Sequence, residues 1–470
     1  MPPRMFIYPL LSVVFLYLTF PNYFYWHGLW PLGWIALVPI FPLLEKIDFR
    51  SKWVAGGLFG VLFYGLLVAW FIPYSLWGYI LFVLMLSLQP VLFFGFYGFK
   101  PKRHHLDVIF VPALWVGTEL LRSLLMKGFS WSLSCSQAFQ PLAVQTACLW
   151  GPWGITFIMV FVNYCFYKMF WLKSRRTFYA GMIFISLIFI FCFGFYGLRL
   201  GPQQNGFGMP LTILAVQPNI DFKKKNDATY FEAHINKQKA LTIEGAEGHG
   251  LDIVIWPETS IPADLSGDPL ATKTLHHLAR KLKAYVLVGS VLASQGVHYN
   301  SAVLLNPRGD VMDLYHKRHL IPFSEYVPKT FWAQKIHGLL DINSHHFTAG
   351  DEAGIFSLTK KGLNGIPHDI NIGIGICNED LLWGIFKDFR RNEADFAVII
   401  SNDGWFDRPE GLALHTQTAI MNAVSFRMPV VRVTNTGWTC YIDQRGRIGP
   451  GIVLFNIEAS ARFIVYLNQQ

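Results

Sequence analysis

Asn371-Ile-Gly373-Ile-Gly375-Ile-Cys377-Asn378-Glu379-Asp380-Leu-Leu-Trp383 decides how the second part of this chain is read. Isoleucine alternates with glycine from 372 to 376, so an extended strand there has one bulky face and one bare face. A bare face lets another backbone or a ligand come close. Cys377 ends the strand, and a helix is expected behind it. A helix N-terminus stabilises a thiolate and lowers its pKa, which makes Cys377 a candidate nucleophile. The G-x-G has no further glycine opening a helix, so a dinucleotide site is not expected.

Two segments upstream carry complementary groups. Ile253-Val-Ile-Trp256-Pro257-Glu258-Thr259 is a strand whose ladder Pro257 ends, with Glu258 at the exit, where α/β folds build sites. Leu314-Tyr-His316-Lys317-Arg318-His319-Leu-Ile-Pro322-Phe-Ser-Glu325-Tyr-Val-Pro328 follows another strand and is stiffened by prolines. Taken singly, Glu258 reads as a solvated loop carboxylate and the basic run as a solvated face. Together, a carboxylate, an ammonium and a thiol at strand ends supply a base, an oxyanion stabiliser and a nucleophile for acyl transfer.

These segments lie in a β-rich half. Strand-like runs fall at Leu211–Val216, Leu251–Trp256, Ala284–Val291, Ser301–Leu305, Ile370–Ile376, Phe396–Ile400 and Val430–Val433. Helix-like stretches at 229–246, 270–283 and 411–426 separate several of them, the pattern of an α/β layered domain. Residues 451–470 read as a short strand-like pattern rather than another span.

The first 200 residues are different. Of 470 residues 53% are apolar and 15% charged, and the formal charge is +9. Residues 1–200 hold 14 Lys/Arg against 4 Asp/Glu, whereas residues 201–470 hold 25 against 26. The basic surplus therefore belongs to the apolar half and does not point to nucleic acid. Seven apolar runs, near 5–21, 27–44, 53–73, 78–99, 107–125, 152–172 and 178–198, approach the roughly 20 residues a span needs. The first reads as a retained helix rather than a signal peptide. The stretch 128–150, broken by Gly128, Pro141 and Gly151, reads as a re-entrant or interfacial loop.

Alternate loops hold 11 Lys/Arg on one side and 3 on the other, so the N-terminus is expected in the cytoplasm and the globular half in the periplasm. Glu119 and Arg122, three residues apart, share a helix face as an interfacial ion pair or a headgroup contact. Cys135 and Cys148 fall in one loop, where spacing leaves a disulfide open. No cysteine pair has zinc-site spacing, and neither metal nor cofactor is expected.

With these residues in view, the chain resembles the nitrilase, or carbon-nitrogen hydrolase, superfamily, whose catalytic set is Glu-Lys-Cys on an α-β-β-α sandwich. With its spans it is similar to the membrane-embedded apolipoprotein N-acyltransferase family. Phe20-Pro21, Leu29-Trp-Pro-Leu, Trp115-Val-Gly-Thr-Glu119-Leu-Leu-Arg122, Gly128-Phe-Ser-Trp131 and Asn163 carry the likeness in the first half. Val216-Gln-Pro-Asn219, Trp256-Pro-Glu258-Thr, Lys317-x-His319-Leu-x-Pro322-Phe-x-Glu325, Ile376-Cys377-x-Glu379, Ser401-Asn402-Asp403-Gly-Trp405-Phe406 and Arg432-x-x-Asn435-x-Gly437 carry it in the second. Asn378 stands where the family often has Tyr.

The resemblance implies a polytopic helical membrane domain, 1–200, followed by a nitrilase-like catalytic domain, 201–470. It implies Glu258 as general base, Lys317 as stabiliser of the tetrahedral intermediate and Cys377 as nucleophile, supported by Glu325 and Glu379. Trp405, Phe406, Trp131 and Asn402 are candidate substrate-binding residues. The implied reaction moves an acyl chain from a phospholipid, through a Cys thioester, to the α-amino group of a lipoprotein's N-terminal diacylglyceryl-cysteine. The expected setting is a bacterial inner membrane, and the expected state is a monomer. The other readings are a membrane-tethered amidase or hydrolase using the same three residues, and a non-catalytic lipid-binding protein.

Overall fold

A computed structural model of the chain describes residues 4–129, 131–171, 175–199, 209–225, 227–294, 296–330, 334, 346–362, 365–406 and 408–467. It divides into two compact units. One is Met1–Gly201 with Phe406–Arg427 and Arg445–Arg447; the other is the remainder. The expected boundary at 200/201 lies outside the described residues.

The first unit is helical. Leu76–Tyr97, His105–Leu125, Ala147–Trp171 and Arg176–Arg199 are long and apolar enough to cross a membrane. Arg4–Thr19 and Phe49–Leu67 are further long helices. The run 27–44, expected as one span, is broken: a 3-10 turn covers Trp30–Trp34, and a helix resumes only at Ile40–Lys46. Pro31, Pro39 and Pro42 each remove a backbone donor, which stops a continuous ladder. Asn163 compensates by donating to the Gly33 carbonyl at 2.9 Å and accepting from the Leu37 N–H at 2.8 Å. Non-helical backbone of this kind is stable in an apolar unit only when protein groups satisfy it.

The stretch 128–150 is irregular as expected, with short turns at Leu133–Gln137 and Pro141–Val144. Glu119 and Arg122 take different partners. Glu119 accepts from Trp115 Nε1 and the Leu133 N–H, both at 2.9 Å, and Arg122 donates to Tyr64 at 2.6 Å. Cys135 and Cys148 are not joined in a disulfide. The helix Pro409–Phe426 packs within this unit, where its Leu414 carbonyl accepts from Trp131 Nε1 at 3.3 Å.

The second unit holds two sheets. Its strands are β1 (Met209–Gln217), β2 (Ile253–Ile255), β3 (Ile261–Asp264), β4 (Tyr285–Ser294), β5 (Val297–Leu305), β6 (Val311–His316), β7 (Ile355–Lys361), β8 (Pro367–Ile376), β9 (Phe396–Ser401), β10 (Val430–Thr434), β11 (Cys440–Ile442) and β12 (Ala459–Leu467). One sheet runs β12-β1-β2-β4-β5-β6 with β3 beside β4, and the other β11-β10-β9-β8-β7. The centres are parallel, β1 to β2 to β4 and β8 to β9 to β10, and the edges antiparallel.

Side-chain alternation explains the layering. Ile213, Ala215 and Ile255 point inward and share one buried cluster with Ile374, Ile376, Val398 and Ile400 of the other sheet. Leu214, Val216 and Val254 point outward onto Ile235, Leu241, Leu275 and Leu278 of the helices Phe231–Ala246 and Pro269–Leu282. Each buried aliphatic side chain contributes about 1.5–3 kcal/mol. The bare face of β8 is taken by a protein group: a Cβ on Gly373 would stand 2.5 Å from the Phe389 ring of the helix Trp383–Arg391. Helix, sheet, sheet and helix thus stack in that order.

Candidate active site

Four strands deliver the site from their carboxyl ends. β2 leads into Trp256-Pro257-Glu258, β6 into Lys317, β8 into Cys377 and β9 into Asn402. Glu258, Lys317 and Cys377 line one cavity of about 280 Å³, together with Lys225, Asn300, Glu325 and Asn402. All seven are buried.

The carboxylates are held from several sides. Glu258 accepts from Asn300 Nδ2 at 2.7 Å on one oxygen and from the Asn402 N–H at 2.8 Å on the other. Glu325 accepts from Lys317 Nζ at 2.9 Å and Asn300 Nδ2 at 3.1 Å, and from the Ile321 N–H at 2.8 Å. Lys317 Nζ stands 3.8 Å from Glu258. Burial disfavours the Lys317 ammonium, but the charges of Glu325, Cys377 and Glu258 outweigh it, so its pKa rises and it stays protonated.

Cys377 opens a five-residue 3-10 turn, Cys377–Leu381, in the left-handed region at φ 53°. Non-glycine residues there are uncommon and cost free energy, and such strain clusters at functional sites. The lowered thiol pKa expected from a helix N-terminus is not what the surroundings produce. Burial first, then the charge of Glu258, pushes the thiol up, with Lys317 opposing. The resting site therefore holds a thiol that needs a base.

Glu379 is a tie between loops. Fully buried, it accepts from the N–H groups of Ile376, Arg318 and His319 at 2.8, 3.0 and 3.1 Å, and from the Tyr315 hydroxyl at 2.8 and 2.9 Å on its two oxygens. It joins the backbone beside Cys377 to the backbone beside Lys317. Arg432, buried in β10, lies 3.3 Å from Asp380 and 3.1 Å from Asp403. Asn435 donates to Asn402 at 3.0 Å and to the Ile220 carbonyl at 2.8 Å.

Of the candidate substrate residues, Asn402 lies at this cavity. Trp131 and Phe406 belong to the helical unit: Trp131 is buried, and Phe406 packs against Trp70 with the rings tilted and their centroids 4.8 Å apart. The Trp405 side chain lies outside the described residues. Asn300 and Lys225 were not legible as site residues, because neither sits in a chemistry-bearing motif. Among the described residues no group of three or more His, Cys, Asp or Glu side chains is arranged to hold a metal ion.

Residues 213–453, more than half of the chain, match the carbon-nitrogen hydrolase family model. The chain belongs to the carbon-nitrogen hydrolase family. Residues 12–165 match a second model, the apolipoprotein N-acyltransferase N-terminal domain. This family member is 28% identical over 477 residues to the apolipoprotein N-acyltransferase of Geobacter metallireducens, covering 97% of this chain and 88% of that one. It is 28% identical to apolipoprotein N-acyltransferase 1 of Treponema denticola, covering 93% of this chain and 86% of that one. Among solved structures, it aligns with Saccharomyces cerevisiae Nit3 at a TM-score of 0.40 and 16% identity, over 55% of this chain and 90% of that one.

Proposed function

We propose that this carbon-nitrogen hydrolase family member is an apolipoprotein N-acyltransferase with a Glu258-Lys317-Cys377 centre. The observation that carries the reading is the meeting of these three side chains in one buried cavity. Glu258 takes the Cys377 proton, and the thiolate attacks the ester carbonyl of a phospholipid. The oxyanion forms beside the Lys317 ammonium, a donor whose removal costs about 10²–10³ in rate. Collapse expels the lysophospholipid alkoxide, which takes the proton from Glu258 and leaves a thioester. The α-amine of a diacylglyceryl-cysteine then attacks the thioester, Glu258 accepts the amine proton, and the thiolate leaves as the amide forms.

Burial of the centre supports transfer to an amine over loss to water, because a thioester survives where water is excluded. The Lys/Arg bias of the loops supports a cytoplasmic N-terminus and a periplasmic catalytic domain.

Intact-mass measurement of the purified full chain after exposure to phosphatidylethanolamine tests the reading. The expected result is one acyl adduct on Cys377 that disappears when a diacylated lipopeptide with a free amine is added. Equal decay without the lipopeptide makes the protein a hydrolase. Full turnover by Cys377→Ala refutes the mechanism. A reporter fused after Gly201 should be active only in the periplasm.

A further inference from the structure

Among the four charged residues of the cavity that the structure describes, Lys225 is the one no motif pointed to. It ends the four-residue turn Phe222–Lys225, is 3% exposed, and faces the same cavity as Glu258, Lys317 and Cys377. Lys317 is the ammonium that pairs with the cavity's carboxylates, Glu325 and Glu258. Lys225 instead donates to the backbone carbonyl of Glu258 at 2.6 Å.

That carbonyl belongs to a strained peptide. It links Glu258 to Thr259, which sits at φ 44°, a region a β-branched residue rarely enters. Such a conformation costs on the order of 1–3 kcal/mol and persists only where its surroundings impose it. Below the turn, β4 passes so close that a Cβ on Gly289 would stand 2.5 Å from the Pro257 oxygen and 2.6 Å from the Thr259 nitrogen.

The support for Lys225 is itself anchored. Asn435 accepts from the Ile220 N–H at 3.0 Å and donates to the Ile220 carbonyl, which roots the segment leading to Lys225. The same Asn435 holds Asn402, whose N–H binds the Glu258 carboxylate. Asn435, just after β10, thus supports both the segment that holds the Glu258 carbonyl and the residue that binds its carboxylate. Burial lowers the Lys225 ammonium to about 8, against the opposing charges of Glu258 and Cys377, as expected for a desolvated cation rather than a solvent-borne one.

We propose that Lys225 is a positioning residue of the acyl-transfer site: through its bond to the Glu258 carbonyl it holds the Glu258–Thr259 turn and so aims the carboxylate at Cys377. The role rests on Glu258 acting as the base. Misplacing a catalytic group by about 1 Å costs on the order of 10²-fold in rate without touching substrate binding.

The test is the rate of Cys377 acylation by the full chain, followed by intact mass. Two donors are used: phosphatidylethanolamine and the phosphate-free ester p-nitrophenyl palmitate. Lys225→Met should lower the saturating rate by about 10²-fold with both donors and leave the half-saturating donor concentration within about twofold. In a Glu258→Gln background the same change should have no further effect, because Lys225 acts through that side chain. Lys225→Arg, which keeps the charge, should fold and show a smaller loss of the same kind, and it carries the test if Lys225→Met does not fold.

A loss confined to the phospholipid makes Lys225 a phosphate-recognition residue and overturns the positioning role. So does a change in half-saturation alone, an additive loss in the Glu258→Gln background, or wild-type rates in both variants. If the wild-type chain forms no Cys377 adduct with either donor, the acyl-transfer reading itself fails.

Discussion

Lys317 is bound to Glu325, its ammonium 2.9 Å from one carboxylate oxygen, while Glu258 stands farther off at 3.8 Å. The pairing divides labour between the two glutamates. In the proposed mechanism Glu325 anchors the cation, and Glu258 is left to exchange protons. Removing one partner of a buried pair costs about 3–5 kcal/mol because the other charge is stranded. Glu325→Ala should therefore lower the melting temperature sharply. Glu325→Gln, which keeps a hydrogen-bond acceptor, should stay folded and slow Cys377 acylation by about 10²-fold. Wild-type acylation by Glu325→Gln would remove the anchoring role.

The thiol of Cys377 predicts opposite effects for its two charged neighbours. Burial and Glu258 raise its pKa, while Lys317 lowers it. Neutralising the carboxylate removes a charge that opposes the thiolate, so Glu258→Gln should increase the alkylation rate of Cys377 by iodoacetamide at pH 8. Neutralising the ammonium removes a charge that favours the thiolate, so Lys317→Met should decrease it. Mass-resolved alkylation kinetics read both signs, and the same sign in both variants contradicts the electrostatic account.

Glu379 should make stability depend on acid pH. Burial would raise its pKa, but the hydrogen bonding around His319, the Lys317 charge and the bonds from Ile376 and Tyr315 win and hold it below the ordinary 4.5. A carboxylate with a depressed folded-state pKa contributes stability that is complete above its unfolded value and lost as pH falls through the folded one. Melting temperature should therefore fall as pH drops below about 4.5 in the wild type. Glu379→Gln should be less stable at neutral pH and show a flatter acid decline. Parallel curves for the two proteins would exclude this contribution.

Gly373 tests the packing on the bare face of β8. A Cβ there meets the Phe389 ring at 2.5 Å. Overpacking of a core costs about 1–3 kcal/mol, so Gly373→Ala should lower the melting temperature measurably. A compensating Phe389→Leu should restore part of the loss. An unchanged melting temperature in Gly373→Ala would show that the helix Trp383–Arg391 can shift away freely.

The parts of the site that were legible are those whose residue type and strand-end position coincide. Glu258 and Cys377 each follow an apolar run that reads as a buried strand, Lys317 follows a more polar strand, and Glu325 and Glu379 fall within the same segments as Lys317 and Cys377. Asn300 and Lys225 were not legible. Asn300 sits inside β5, where a lone amide reads as an ordinary strand residue, and Lys225 follows two other lysines in a run that reads as solvated. Trp131 and Phe406 are expected at the acyl pocket because aromatic residues fit one; both belong to the helical unit, where Trp131 is buried and Phe406 packs against Trp70. An aromatic side chain carries the same sequence signal in a core as in a pocket.

The sequence by itself determined two things: that an apolar half precedes an α/β half, and that three reactive groups each follow a strand. Hydropathy and side-chain period are local properties, and both are written in runs of neighbouring residues. Only the tertiary structure decided that residues 27–44 break at their prolines, that Phe389 fills the bare face of β8, and that burial keeps Cys377 a thiol. It alone put Asn300 between two glutamates and Lys225 on a carbonyl. Those outcomes depend on distances between residues far apart in the chain, and on the desolvation that arises only once the sheets close over them.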